Sequence, residues 1–531
     1  MSSAIRRDLV FLTALALVAR IVAALLVPSP PYVDAAYYTL VAERLANGNG
    51  FSAPVLWSFL EIGGHLPADP MLPVPSNGHW MPLTSVVATV PMALLGASWA
   101  AGQVAMVLLS TVLVPLTYLI GWEVWQSRWV ALPAAVLAIF AGPLLIEYPL
   151  VESFAVFGVA GGTCLYFAMR ATRASRQGWW LLASGAMVGV ATLARIDGLL
   201  LAAAPATAWW LRYRAGGIGW SVGLASALAA LLVLLPWLVR DVAVFGSPLP
   251  SAGGHTLWIR TYNEQFSIGT QPSVASYLSA GLPAIIGSKL ASLGELLGRT
   301  LSVSGGLFGV TFLAGLFLER RRRALQPFIA YWLVMFLVMG LVFTFHAPKG
   351  AFMHSAPAWL PFALPMGVAS IATLSRTLGR WWWFLRRDAT QRFLVVVGLV
   401  GAVIVSLVSS LVLLALWRTD VERLDAAAAY LRTAAQRTDV VMALDPARLY
   451  LLTGNPGVAP PFDPYATVGQ VVERYEVRWL VVTLEPGETR DPLGLWDGSS
   501  ATDITGAHAS FLPERPAFEA PGVRVFRIAA R

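Results

Sequence analysis

The sequence predicts an all-α polytopic membrane bundle of about 11 transmembrane helices, closed by a small C-terminal α/β domain. The 531 residues are 57% hydrophobic and only 12% charged, about half the charge density with which a soluble chain covers its surface. Mean hydropathy is +0.66, carried by apolar runs that stop near residue 417. Charge changes at the same place: residues 1–417 hold 25 Lys+Arg against 14 Asp+Glu, and residues 418–531 hold 12 against 15. A basic apolar body thus carries a mildly acidic tail long enough to form a domain. This composition excludes a soluble enzyme, a disordered chain and a basic nucleic-acid-binding domain. Cys164 is the single cysteine, so neither an intrachain disulfide nor a cysteine-rich metal site can form.

The first run, 9–27, follows Arg6 and Arg7 and contains Arg20. It ends in PSPP rather than a small-x-small cleavage site, which predicts a retained first helix and not a signal peptide. Further spans are expected at 99–121, 129–146, 153–170, 179–194, 197–211, 218–238, 301–318, 326–345, 355–375 and 393–417. With the N-terminus in the cytoplasm, the cytoplasmic segments hold 17 arginines, including the block Arg320–Arg323, and the opposite segments hold seven basic residues. That asymmetry follows the positive-inside rule and puts the tail outside. Only two of the 37 basic residues are lysine; with abundant Ala and Arg this points to a GC-rich, bacterial coding sequence and to a bacterial cytoplasmic membrane. Trp179, Trp180, Trp209, Trp210 and Trp381–Trp383 fall at expected interfaces, as an aromatic belt requires.

Two outside loops are long, 28–98 and 239–300. Pro82 and Pro91 bracket an apolar stretch in the first, which is expected to lie along the membrane surface. In the tail, 425–435 and 467–477 read as helices, 440–444 and 478–484 as buried strands, and the alternating 523–528 as a last, edge strand.

Ionisable residues at membrane level are costly and are functional candidates. In this topology they gather at outside helix ends: Asp34; Glu147 and Glu152; Arg195 with Asp197; Arg240 with Asp241; His346, Lys349 and His354; and His79. Each has a structural alternative: an N-cap for Asp34 and Glu152, a solvated helix end for Glu147, an internal ion pair for Arg195, snorkelling for Arg240, ordinary hydrogen bonding for the histidines. His79 and His255 have no metal-ligand spacing. Arg320–Arg323 is topogenic, and Cys164 is packing.

DAAYYTLVAERLANGNGF (34–51) resembles the first-loop motif of the GT-C membrane glycosyltransferases, in which an acid follows the first span and precedes a Tyr-rich helix and a Gly turn. HWMPLTSVVATVPMALLG (79–96) resembles their juxtamembrane stretch, and PWLVRDVAVFGSPLPSAGGHTLW (236–258) their loop after the seventh span. The likeness covers roughly residues 5–375 and is strongest to bacterial relatives of protein O-mannosyltransferases and of lipid A aminoarabinose transferases. Many relatives carry a paired acid in the first loop where Asp34 is followed by Ala35, and Glu152 stands where the second-loop acid falls.

The resemblance implies transfer of a sugar from a polyprenyl-phosphate donor to an acceptor hydroxyl of a glycan, lipid or protein, outside the membrane and with inversion. Asp34 would be the general base and Glu152 a second catalytic acid. Arg195, Arg240, Lys349, His346 and His354 would hold the donor phosphate, with Glu147, His79 and Tyr37 as further candidates. No residue set identifies a metal site, although a divalent ion is compatible with the superfamily. A non-catalytic scaffold of the same fold, or a flippase or transporter for lipid-linked sugars, is the alternative; charges at one face and no inverted repeat favour an enzyme over a transporter.

Overall fold

The computed structural model describes residues 3–173, 177–250, 255–269, 272–343, 350–483 and 511–529. Helix α1 (Ser3–Leu26) leads to α2 (Val33–Ala46), the short strands β1 (Ser52–Ala53), β2 (Val55–Leu56) and β3 (Val74–Pro75), and α3 (Leu83–Leu95). The bundle continues with α4 (Trp99–Trp125), α5 (Arg128–Ile139), α6 (Leu144–Glu147), α7 (Ser153–Ala171), α8 (Gln177–Ala194), α9 (Ala203–Arg214) and α10 (Trp220–Phe245). It closes with α11 (Val274–Ser279), α12 (Leu282–Val303), α13 (Leu307–Leu318), α14 (Gln326–Leu341), α15 (Phe352–Leu378) and α16 (Asp388–Ala434). The tail adds β4 (Val440–Ala443), α17 (Pro446–Thr453), β5 (Gly457–Val458), α18 (Tyr465–Arg474), β6 (Val477–Thr483), β7 (Phe518–Ala520) and β8 (Val523–Arg527).

Among the described residues, every expected span falls on a helix or a broken helical run. Among the described residues six helices are long and apolar enough to cross a membrane, or seven counting the bent pair α12–α13 as one span. Others are shorter, and some are interrupted. The chain is a multi-pass membrane protein: α16 alone leaves Val396, Val400, Ile404, Val408 and Leu411 exposed, an apolar face that water would not tolerate.

Several expected boundaries move. The segment 282–300, placed in a loop from sequence, belongs to the helix α12, which meets α13 at a bend of 114°. Glycines at 305 and 306 take positive φ there, so the chain turns where a side chain would be strained. The stretch 425–435 is not a separate helix; α16 runs unbroken through it, because DAAAAYLRTA keeps strong helix formers and no breaker. Pro91 lies inside α3 rather than at its end.

Arg20, met as an interruption of the first apolar run, is fully buried. Its guanidinium donates to Ile139 O and Ala138 O, both at 3.1 Å, and to Leu145 O at 3.4 Å. It also lies 4.3 Å from the Tyr148 ring centroid. One side chain thus satisfies carbonyls freed where α5 stops and α6 begins, which lets that run break inside an apolar bundle. Arg20→Met is expected to cost on the order of 3 kcal/mol, read as a lower midpoint of thermal unfolding in detergent.

The six-stranded sheet has the order β2-β5-β4-β6-β8-β7. Strands β2, β5, β4 and β6 are parallel neighbours, while β6–β8 and β7–β8 are antiparallel. The 523–527 strand expected at the edge is second from it, since β7 pairs outside it. The opposite edge, β2, comes from the first long loop (Val55↔Gly457, Leu56↔Val458). Ala36, Tyr37, Leu40 and Trp57 of that loop share a core with Val458, Val468, Leu480 and Phe526. Behind the sheet, Leu424, Ala427 and Leu431 of α16 pack on Val441, Trp479 and Val525. The tail and the first loop therefore fold together as one cap on the bundle.

Candidate active site

A cavity of about 1000 Å³ lies between cap and bundle. Its bundle wall carries Asp34, Glu147, Arg195, Asp197, Arg299 and His354. Its cap wall carries Trp57, His79 and Trp80 from the first loop and Asp420, Arg423, Asp445 and Arg448 from the C-terminal region. The other end of the bundle gathers the basic segments: Arg128 pairs with Asp8 at 2.6 Å, Arg170 with Glu123 at 3.1 Å, and Arg173 donates to Glu123 O at 3.1 Å.

Small residues bring the bundle wall together. A Cβ at Gly158 or Gly161 of α7 would collide with Pro357 or Ala358 of α15, so these helices touch closely along their N-terminal halves. Their first turns become neighbours, and His354 stacks on Phe154 with centroids 4.4 Å apart. Glu152, the N-cap residue of α7, accepts from Ser153 Oγ at 2.9 Å and faces His354 Nε2 at 3.5 Å. Burial pushes the Glu152 carboxyl above its usual range, with Arg195 opposing the shift. His354 Nδ1 is 2.7 Å from Gly350 O, which makes Nδ1 the protonated nitrogen and leaves the Nε2 lone pair for the site.

Asp34 stands in the first turn of α2, whose N-cap is Tyr32. It is therefore not the cap of that helix, and its negative charge sits at the favourable end of the helix dipole. One donor atom each from Asp34, Glu152 and His354 lies within 4.8 Å of the others. Glu152 Oε2 and His354 Nε2 are buried with no hydrogen-bond partner among the described residues. Two carboxylates and an imidazole this close together, with the buried Glu152 and His354 atoms unfilled, fit a divalent cation. No local spacing announces this set, because its members sit in or at the start of three helices, each more than 100 residues from the next.

Arg195 is fixed from both sides. It donates to Asp197 Oδ1 at 3.0 Å and to Ser153 Oγ at 3.2 Å, and Asp197 in turn accepts from Ser355. A hydrogen-bonded chain thus runs from Glu152 through Ser153, Arg195 and Asp197 to Ser355, holding a guanidinium beside the acids.

Arg240, expected at the donor phosphate, is not among the residues lining the cavity. It donates to Ser76 O at 2.8 Å and to Asp241 at 3.0 Å, and lies 4.6 Å from the Trp237 ring centroid. It fastens the first loop to the end of α10. Tyr37 also turns away: its hydroxyl donates to Glu61 and accepts from Asn77 N at 2.8 Å, while Tyr38 faces the cavity. His346 and Lys349 lie outside the described residues. Arg299, not assigned a role from sequence, lines the cavity from α12 beside Glu147; its signal was a lone arginine just before an expected outside helix end.

The Tyr37–Glu61 contact sets the cap wall. Asn77 adopts φ +64° and donates to Trp80 O at 3.1 Å, and Trp80 stacks on Trp57 at 3.9 Å. Gly78 has no room for a Cβ, which would overlap the Glu61 carbonyl. Burial pushes the Glu61 carboxyl up to about 8 from an ordinary 4.5. The folded state holds this proton more tightly than the unfolded one. The resulting stability is complete below the ordinary value and is lost as pH rises through about 8. Amide exchange across residues 51–80 should therefore accelerate from about pH 6 to about pH 9 beyond its intrinsic pH dependence, and Glu61→Gln should remove the excess.

Residues 98–243 match the family model of dolichyl-phosphate-mannose-protein mannosyltransferase. ArnT from Cupriavidus metallidurans, solved bound to undecaprenyl phosphate, superimposes with a TM-score of 0.57 at 14% identity over 89% of this chain and 92% of ArnT. The Archaeoglobus fulgidus oligosaccharyltransferase, solved in complex with Zn and sulfate, gives 0.56 at 13% identity over 89% and 68% of the two chains. AglB from the same organism, with an inhibitory peptide and a dolichol-phosphate, gives 0.53 at 13% over 88% and 69%. No curated protein matches the chain. The chain has the fold of the GT-C membrane glycosyltransferases, as its loop motifs led one to expect.

Proposed function

We propose that this chain is a membrane glycosyltransferase that moves one sugar from a polyprenyl-phosphate donor to an acceptor hydroxyl, at the non-cytoplasmic face of a bacterial cytoplasmic membrane. The observation that carries this reading is the meeting of Asp34, His354 and a doubly anchored Arg195 in one cavity, with the buried Glu152 beside them, at the membrane end away from the arginine-rich segments. The mannosyltransferase family match over 98–243 supports it, as do solved neighbours that hold a polyprenyl phosphate.

The acceptor oxygen attacks the anomeric carbon as the bond to the phosphate oxygen breaks. The electron pair leaves with the phosphate, the proton passes to Asp34, and attack from the opposite side inverts the centre. Arg195 meets the charge growing on the phosphate, a task its forked donors suit. Arg299 brings a second guanidinium to the same wall. Asp34, Glu152 and His354 would hold a divalent cation, which would supply further positive charge to the leaving phosphate. The polyprenyl tail lies against apolar helix faces and is held by burial alone.

The test is turnover of radiolabelled undecaprenyl-phosphate sugars by the full chain in nanodiscs. Cleavage of the sugar–phosphate bond supports the reading. Binding without cleavage would indicate a scaffold, and movement of intact donor across proteoliposomes a flippase; either result overturns it.

A further inference from the structure

The cap wall of the cavity carries a second polar cluster that the transfer chemistry does not use. Asp420 and Arg423 project from the C-terminal third of α16 and pair at 3.1 Å. Asp445 caps α17 by accepting from Arg448 N at 3.0 Å, and Arg448 follows in the first turn of that helix. All four line the cavity, with Phe462, 39% exposed, beside them. Arg448 is the anomaly. It is only 3% exposed, yet its Nη2 is buried with no hydrogen-bond partner among the described residues. It lies in the field of Asp420, Asp425 and Asp445, none of which forms an ion pair with it within 4 Å among the described residues. A guanidinium held out of water with an unfilled donor is costly, and a ligand that fills it recovers that cost.

We infer that this cluster is a binding subsite for a neutral carbohydrate, and, resting on the transferase reading above, that the carbohydrate is the acceptor. The two arginines and two aspartates of this cluster balance in charge, so the cap wall has no surplus to attract a phosphate or carboxylate. Planar donors beside planar acceptors match adjacent sugar hydroxyls, each of which gives one hydrogen bond and takes others. Phe462 offers an apolar face for the C–H side of a sugar ring. Gly522, at φ +77°, leaves the space into which the Arg423 side chain fits, so the turn before β8 positions the guanidinium.

The test is capture of an array of neutral and acidic oligosaccharides by the full chain in nanodiscs, without donor. Wild type should retain neutral glycans, and Arg448→Gln should weaken capture by about tenfold or more. Arg423→Gln, at a more accessible position, should act in the same direction and guards against a folding defect at Arg448. Capture of acidic glycans alone, or equal capture by wild type and both variants, overturns the subsite. Donor turnover by wild type is measured separately. Turnover without neutral-glycan capture overturns the subsite and leaves the transferase reading standing. Arg448-dependent capture without turnover does the reverse.

Discussion

Asp34→Asn is expected to reduce sugar transfer by about 10²- to 10⁴-fold, the range over which a positioned proton acceptor contributes. The exchange keeps size and planarity, and Asp34 caps no helix, so the fold should persist. The amide retains hydrogen bonding but takes no proton from the acceptor and ligates a cation weakly. Release of labelled sugar measures the loss, and unchanged thermal unfolding shows it to be chemical. Full activity in a folded Asp34→Asn protein would remove Asp34 as the base while leaving the fold assignment untouched.

The second large effect is expected at Arg195. Arg195→Gln removes the guanidinium that Asp197 and Ser153 hold in place. A fixed donor aimed at developing charge is worth about 10²- to 10³-fold in rate. The loss should fall on kcat more than on donor KM, because the phosphate gains charge as the bond breaks. Asp197→Asn is predicted to lose less, since it loosens the arginine without removing it. A variant that changed donor KM alone would reassign Arg195 to ground-state binding.

The membrane bundle was legible in the chain because lipid imposes about 20 apolar residues per crossing. No loop can hide that signal, and Arg20 did not disguise it. The first-loop motif likewise led to Asp34, and the cost of charge at membrane level led to Glu152, Arg195 and His354; the fold brings all four to one end. Tyr37 and Tyr38 show where local reading stops. Adjacent residues on one helix point to different neighbours, and which one faces the cavity depends on the tail, where Val458 and Val468 draw Tyr37 into the cap core. Arg240 shows the same limit: a cation at a helix end serves phosphate or backbone equally well until the Ser76 carbonyl is known to lie 2.8 Å away.

From sequence alone came the spans, their expected orientation and the set of ionisable residues stranded at helix ends, for these follow from desolvation, which acts on each residue wherever the chain later goes. Which of those side chains meet was settled by tertiary structure. Strand β2 joins the tail sheet, α16 continues past the membrane into the cap, and α7 packs on α15 through Gly158 and Gly161. Direction and distance between charges decide chemistry, and both depend on contacts between elements hundreds of residues apart, which no local pattern encodes.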